Sequence, residues 1–217
     1  MSLDDFDLSS VDLVLRTTRS VRRKLDYTRP VEPELIEECI EIATQAPTGR
    51  NAQAWRFLVV TEPEPKRVLG ELYRRAFSHY SGLRAAEPDA EPIKPTYQLL
   101  AERLHEMPAL ILVCIEGRPE SLSVPQQVAF YGSVLPAAWS LMLALRARGL
   151  GSTWTSLHLL HEDEAARALG IPAGVTQTIL LPVGYMRDAV LRPAERHGPR
   201  EVTYWNRWGE KRGSGSD

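Results

Sequence analysis

The stretch QQVAFYGSVLPAAWSLMLALRARGLGSTWTS, residues 126–156, decides the fold. Apolar side chains fill residues 128–145 and leave almost no polar face, so a helix here must be buried on most sides. Pro136 interrupts the run and Arg146 ends it, which makes the helix too short to cross a bilayer. We therefore expect the central helix of a folded core, stopped at Gly149.

A short strand rich in small polar side chains is expected directly after this helix. Ser152, Thr153, Thr155 and Ser156 surround Trp154. A strand of small residues at the end of a buried helix leaves room for a flat ligand. This stretch is therefore the first candidate for a binding site.

The composition indicates a single domain in a reducing compartment. A chain of 217 residues buries a sizeable core without a disulfide staple. Cys39 and Cys114 each lie in an apolar run, which predicts buried free thiols and a cytoplasmic location. The formal net charge of −2 argues against a general nucleic-acid binder. The acidic N-terminal sequence lacks the basic-then-apolar pattern of a signal peptide, and we expect no membrane partner.

Strands and helices alternate along the rest of the chain, which indicates helices covering a central sheet. Buried strands are predicted over residues 57–60, 109–115 and 178–185. Residues 80–95 are rich in proline, alanine and charge, and we expect a surface excursion or lid there. We expect one domain over residues 1–209 and a disordered tail over residues 210–217.

A basic turn follows the first predicted helix and contains Arg19, Ser20 and Arg22. Two guanidinium groups and a hydroxyl can coordinate a phosphate, because the arginine fork matches phosphate oxygens. Each charge-assisted contact of this kind contributes about 1.5–3 kcal/mol. The alternative is a solvated basic edge.

The segment 46–55 is a loop by composition. Its Pro-Thr-Gly sequence at residues 47–49 favours a turn, and Asn51 and Gln53 follow. Asparagine and glutamine side chains both donate and accept hydrogen bonds, which suits the edge of a heteroaromatic ring. The alternative is an ordinary helix-to-strand connection.

The sequence contains no clear metal-binding or nucleotide-binding motif. His158 and His161 are three residues apart, beside Glu162 and Asp163, which is not the spacing of a metalloprotease helix. We expect these histidines at a helix start or on the solvated surface, with no metal bound. A Walker-type phosphate loop, a Gly-x-Gly-x-x-Gly fingerprint and a Gly-x-Ser-x-Gly elbow are absent from the sequence, so a Rossmann unit and a serine hydrolase are not expected.

Four short motifs stand in order along the chain: Thr-Arg-Ser-Val-Arg at 18–22, Ala-Pro-Thr-Gly-Arg-Asn-Ala-Gln-Ala-Trp at 46–55, Gly-Leu-Gly at 149–151 and Pro-Val-Gly-Tyr at 182–185. Together they resemble the FMN-dependent nitroreductase family, most closely its actinobacterial branch, over residues 10–208. The resemblance implies an α+β fold with a central mixed, mainly antiparallel sheet flanked by helices. It also implies a homodimer that exchanges a C-terminal extension and holds one FMN in each of two interface sites.

The resemblance implies cofactor-binding residues in three segments and near the C-terminus. The basic turn would hold the phosphate and ribityl chain, the loop 46–55 would approach the flavin from the other subunit, and residues 154–157 would line the isoalloxazine ring. The C-terminal basic residue near the phosphate would be Arg196, or His197 beside it. The implied set is Arg19, Ser20, Arg22, Pro47, Thr48, Gly49, Asn51, Trp154, Thr155, Ser156, Leu157 and Arg196.

Ala54 replaces the proline of the family pattern, and the insertion at residues 197–198 blurs the last motif. Two further departures concern the flavin site. Thr18 stands in place of the usual first arginine, which in the family helps to place positive charge near the flavin. Ser156 stands where many bacterial nitroreductases have glutamate, so the ring contacts differ.

The aromatic tail with Tyr204, Trp205 and Trp208 would wrap around the partner subunit.

The implied activity is that of an NAD(P)H-dependent FMN oxidoreductase. It would take a hydride from NAD(P)H and reduce a nitroaromatic, a quinone or a related small-molecule acceptor by a ping-pong mechanism. We name no catalytic side chain, because the protein supplies orientation and electrostatics. Two alternatives stay open: a sibling chemistry such as reductive dehalogenation, flavin fragmentation or ene reduction, and a flavin-binding storage protein without turnover.

Overall fold

The computed structural model describes residues 7–212. Most helices carry proline in the first turn, where the missing N–H is not needed. The helices are α1 (Leu8–Thr17), α2 (Pro33–Ala43), α3 (Pro63–Ala85), α4 (Pro95–Arg103), α5 (Val124–Gly132), α6 (Leu135–Ala147), α7 (Glu162–Leu169) and α8 (Pro199–Val202). The strands are β1 (Trp55–Val60), β2 (Ala109–Glu116), β3 (Leu150–Ser152) and β4 (Val175–Tyr185).

The strands form one sheet in the order β1-β2-β4-β3. All three pairings are antiparallel, and Leu112 of β2 lies opposite Leu58 of β1 and Leu180 of β4. A bulge shifts the β2–β4 register between Val113 and Cys114. The predicted α+β class and mainly antiparallel sheet are confirmed, and no parallel pairing occurs within residues 7–212.

Helices cover both faces of the sheet. On one face, Ile111 of β2 belongs to a buried cluster with Ile36 of α2 and Leu141 of α6. Leu110 and Leu112 alternate with Ile111 along β2, face the other side and are fully buried as well. α3 packs with α4 and α7. Because β2 is enclosed on both faces, its sequence is a continuous apolar run.

The predicted central helix is two helices. In α6 Ala138 and Leu141 are fully buried, whereas α5 has no buried residue and Val128 is 68% exposed. The break lies at residues 133–134, because Pro136 in the first turn of α6 lacks an N–H and its ring crowds the preceding turn. The prediction of burial on most sides is right for α6 and wrong for α5.

The segment Val124–Ala147 taken as a whole is long and apolar enough for a membrane span by length and composition alone, although it breaks at residues 133–134. Core helices of folded domains meet the same criterion. The α6 part of this segment occupies such a position, because it packs in the buried cluster against the sheet.

The excursion predicted over residues 80–95 is shorter than expected. α3 continues to Ala85, and α4 begins at Pro95. Non-helical chain is confined to residues 86–94, where Pro88 keeps the residue before it out of the helical conformation. The helix-forming residues before this proline extend α3 further than their mixed composition indicated.

The described chain divides into two compact units. The main unit, residues 18–190, contains the sheet and α2 to α7. The terminal unit, residues 7–17 and 191–212, contains α1 and α8. The single domain expected over residues 1–209 stays a prediction, and most of the tail expected to be disordered over 210–217 lies outside the described residues.

The aromatic tail belongs to the terminal unit. Tyr204 and Trp208 contact each other with ring centroids 4.7 Å apart. Trp208 is nevertheless 90% exposed and Trp205 is 47% exposed. Among the described residues, these tryptophans therefore leave large apolar surface exposed.

Candidate functional site

The basic turn predicted to bind phosphate lies along β3. The Val21 N–H donates to the Ser152 carbonyl oxygen at 2.9 Å. The Thr153 hydroxyl donates to the Val21 carbonyl oxygen at 2.7 Å, and the Trp154 N–H donates to Ser20 Oγ at 3.0 Å. These hydrogen bonds fix the turn to the chain that follows α6.

The close approach of the turn to β3 depends on Gly151. A Cβ at this position would lie 2.7 Å from Leu25 Cδ2 and 3.3 Å from Val21 Cβ. Gly149, two residues earlier, ends α6 with a φ of +79°, a conformation that favours glycine. The Gly-Leu-Gly motif is therefore needed first to turn the chain and then to admit the basic turn.

Arg19 and Arg22 have no counter-ion among the described residues. Both side chains are half-buried, and neither pairs with a carboxylate within residues 7–212. In this part of the chain, their Nε atoms are buried without a hydrogen-bond partner. An anion with several oxygens would offset the cost of this partial burial. The Ser20 hydroxyl accepts from Trp154 and keeps its own proton to donate, so the set fits a phosphate.

Residues 154–157 leave β3 beside this turn. Thr155 exchanges backbone hydrogen bonds with β4, and its hydroxyl lies 2.9 Å from the hydroxyl of Tyr73. Trp154 and Leu157 are half-buried, and Ser156 is exposed. The structure thus brings two of the predicted segments, the basic turn and residues 154–157, into direct contact.

The loop 47–53 has a strained backbone. Arg50, Asn51 and Gln53 have φ values of 55°, 53° and 51°, in the left-handed region that residues other than glycine rarely adopt. Each such residue costs about 1–2 kcal/mol unless its surroundings stabilise it. Strain of this kind clusters at functional sites, which supports the choice of this loop as a candidate.

The loop 47–53 contacts the α5–α6 junction. The Gly49 N–H donates to Ser133 Oγ at 2.9 Å. Within residues 7–212, no hydrogen bond or ion pair joins this loop to the basic turn or to residues 154–157. The approach of the loop to the flavin from another subunit stays a prediction.

Arg196 lies in the terminal unit, where its guanidinium donates to the Glu195 carbonyl oxygen at 2.9 Å. His197 beside it is exposed, and its Nδ1 lies 3.1 Å from Glu201 Oε2. These local contacts neither support nor oppose a phosphate contact, so the assignment of Arg196 stays a prediction.

His158 lies in the helical turn Leu157–His161 directly before α7, so the alternative of a helix start is confirmed. The residue is fully buried, and the alternative of a surface position is wrong. Its turn, Leu157–His161, packs against α3. Neither ring nitrogen has a hydrogen-bond partner within the described chain, and burial lowers the pKa of His158 to about 4. The residue is therefore a neutral core histidine near pH 7. In residues 7–212, no group of His, Cys, Asp and Glu side chains is arranged to hold a metal ion.

Two tyrosines at the site have no local sequence signal. The Arg22 guanidinium carbon lies 4.2 Å from the centroid of the Tyr97 ring. Tyr73 reaches Thr155 from α3. Both tyrosines come from helices distant in sequence from their partners, and only tertiary packing places them here.

Comparison with known sequences identifies the family to which the chain is similar. The family model described as Nitroreductase family matches residues 15–185. Iodotyrosine deiodinase from Drosophila melanogaster is 32% identical over 187 residues, which cover 83% of this chain and 63% of that protein. This chain therefore spans less than two thirds of that relative. 5,6-Dimethylbenzimidazole synthase from Rhodospirillum rubrum is 30% identical over 174 residues, which cover 77% of this chain and 79% of the synthase.

Comparison with solved structures shows the same fold. The FMN-dependent nitroreductase NfnB from Mycobacterium smegmatis, in complex with NADPH, has a TM-score of 0.69 and 20% identity. The match covers 92% of this chain and 99% of NfnB.

Proposed function

Because the chain belongs to the nitroreductase family, we propose that it is an FMN-dependent oxidoreductase that takes a hydride from NAD(P)H. The acceptor would be a nitroaromatic, a quinone or a related small molecule, reduced by a ping-pong mechanism. The observation that carries the proposal is the pair of half-buried arginines, Arg19 and Arg22, without a carboxylate partner in residues 7–212. They lie beside the small-residue segment 154–157, so a phosphate next to a flat ring system matches both parts.

The residues of this chain would bind and orient the cofactor. Arg19, Arg22 and the Ser20 hydroxyl would hold the phosphate. Residues 154–157 would lie against the isoalloxazine ring, held by the hydrogen bonds of Trp154 to Ser20 and of Thr155 to α3. When bound, FMN supplies the capacity to accept and pass on a hydride. The chain supplies position and electrostatics, and we assign no catalytic side chain.

The proposal includes a homodimer. Val124 and Val128 of α5 are 73% and 68% exposed, and Trp208 is 90% exposed. Exposed apolar side chains of this size are typical of surfaces that a partner buries. The loop 47–53, with its strained backbone, would complete the site of the second subunit, and Arg196 would lie near the phosphate.

The curated relatives favour a second candidate, a sibling chemistry on the same scaffold. The deiodinase relative supports reductive dehalogenation of a small aromatic substrate. This candidate would use the same residues to hold FMN and would differ in the molecule that accepts the electrons.

The two candidates and a storage role are separated by one experiment on protein reconstituted with FMN and kept free of oxygen. We expect NADH or NADPH to bleach the visible flavin band, and a nitroaromatic or a quinone to restore it. Restoration only by a halogenated phenol, with release of halide, would favour dehalogenation. Unchanged colour with both nucleotides would favour storage, and colourless protein after reconstitution would contradict flavin binding.

We also propose a cytoplasmic location without a nucleic-acid or membrane partner. Cys39 and Cys114 are buried and unpaired, which is typical of proteins in reducing compartments. The net charge of −2 does not favour binding to nucleic acid.

A further inference from the structure

The two arginines of the basic turn differ in how they are held. The Arg22 guanidinium carbon lies 4.2 Å from the ring centroid of Tyr97, close enough for a cation–π contact. Arg19 makes no such ring contact within residues 7–212. Arg22 is therefore the arginine that an aromatic face holds in place.

Tyr97 makes this contact with its ring and not with its hydroxyl. The residue is half-buried in the first turn of α4, directly after the excursion 86–94, and its N–H donates to the Lys94 carbonyl oxygen at 2.9 Å. Its hydroxyl has no hydrogen-bond partner in the described chain. The ring also borders a cavity of about 170 Å³, together with Tyr80 and Arg84.

Tyr73 connects this stack to the segment beside β3. Burial raises the pKa of the Tyr73 phenol, whereas the hydrogen bond to Thr155 and the positive charge of Arg22 act to lower that pKa. The Tyr73 hydroxyl lies 2.9 Å from Thr155 Oγ1. Tyr73 therefore lies within electrostatic reach of Arg22 and is hydrogen-bonded to the segment expected to line the flavin.

We propose that Tyr97 is a positioning residue that holds the Arg22 guanidinium ready for the cofactor phosphate. The inference rests on the proposed function, since the phosphate is that of FMN. Attraction between the cation and the ring face restricts the long arginine side chain before the phosphate binds. Less conformational freedom is then lost on binding, which raises the affinity.

The comparison of FMN with riboflavin tests the inference, because the two flavins differ by the phosphate alone. We expect Tyr97→Leu to weaken FMN binding about fivefold and riboflavin binding less than about twofold. Tyr97→Phe keeps the ring face and should bind both flavins like the unaltered protein. The matched control is Tyr80→Leu, which alters the same cavity without removing the Arg22 contact and should leave FMN affinity unchanged.

A double-mutant cycle assigns the effect to Arg22. In an Arg22→Ala background, Tyr97→Leu should cause no further loss of FMN affinity. The inference alone would be overturned if Tyr97→Leu left the ratio of FMN affinity to riboflavin affinity unchanged. It would also be overturned if Tyr97→Leu weakened FMN binding by its full factor in the Arg22→Ala background. Absence of FMN binding by the unaltered protein would overturn the proposed function together with the inference.

Discussion

The hydroxyl oxygens of Tyr73 and Thr155 lie 2.9 Å apart, although the residues are 82 positions apart in the sequence. Tyr73 is 2% exposed and Thr155 is 8% exposed. Because neither side chain has ready access to water, each hydroxyl relies on the other as its partner. The pair ties α3 to the segment proposed to line the flavin.

Removal of this hydrogen bond should destabilise the protein. Tyr73→Phe leaves the Thr155 hydroxyl buried without its partner, and we expect the free energy of unfolding to fall by about 1–3 kcal/mol. Urea denaturation measures the change. Tyr80→Phe is the control, because that side chain is exposed and its hydroxyl bonds nothing within the described residues; its effect should stay within about 0.5 kcal/mol. Equal stability of the two variants would contradict the assignment.

Two glycine-to-alanine substitutions should change the stability of the protein in opposite directions. A Cβ at Gly151 would lie 2.7 Å from Leu25 Cδ2, so Gly151→Ala should cost about 1–3 kcal/mol of folding free energy and reduce FMN loading. Gly82 lies inside α3, and a methyl group added there would meet nothing within 4 Å, so Gly82→Ala should stabilise by about 0.5–1 kcal/mol. Thermal and urea unfolding of both variants provide the measurement, and stabilisation by Gly151→Ala would be the contrary result.

The buried His158 should make stability depend on pH. Burial lowers its pKa from 6.5 to about 4, so the unfolded chain takes up the proton first as the pH falls. The contribution of neutral His158 to the free energy of unfolding is fully present above pH 6.5. About 3 kcal/mol of that free energy is lost as the pH falls towards 4.

The variant His158→Met removes this titrating group from the core. The difference in unfolding free energy between the unaltered protein and His158→Met should change by about 3 kcal/mol between pH 7 and pH 4. The exposed His79 in α3 is the matched control, and His79→Met should show no comparable change. If the free energies of unfolding of the unaltered protein and of His158→Met changed in parallel with pH, His158 would not be the source of the pH dependence.

The counter-ion argument for the basic turn predicts a phosphate-specific effect. Arg19→Ala should weaken FMN binding about ten- to a hundredfold, because one charge-assisted contact contributes about 1.5–3 kcal/mol. Riboflavin affinity should hardly change. Arg23→Ala is a suitable control, since Arg23 is exposed in the same turn. If Arg23→Ala weakened FMN binding by a similar factor, the cause would be the overall charge and not a specific contact with the phosphate.

The exposed face of α5 predicts a second subunit. Val128→Glu should shift the protein from dimer to monomer in sedimentation velocity, because a charge would be buried at the proposed interface. Leu83→Glu is the matched control at another exposed apolar position, in α3, and should leave the dimer intact. A monomeric unaltered protein would contradict the homodimer directly.

Local patterns in the sequence were sufficient for much of the fold. The apolar run of residues 109–115 identified β2, since a strand buried on both faces shows no alternation. The resemblance to the family implied that the basic turn and residues 154–157 share one site, and the structure shows that Gly151 permits their contact because it has no Cβ.

Other features depend on contacts that no local pattern reports. His158 lies a few residues before the charged pair Glu162 and Asp163, which favoured a surface position, yet its turn packs against α3 and the residue is buried. The apolar side chains of α5 resemble those of α6, and only the location of each helix decides which set is covered. The positions of Tyr97 under Arg22 and of Tyr73 beside Thr155 required the folded chain.

The hydrogen bond from the Val21 N–H to the Ser152 carbonyl oxygen also affects the solubility of the protein. β3 is an outer strand of the sheet, and Val21 and Leu25 are buried against it, at 7% and 4% exposure. An uncovered outer strand recruits strands from other molecules. Substitutions that detach the basic turn should therefore yield insoluble, aggregating protein as well as weaker ligand binding, and chaperone demand in the cell should rise with them.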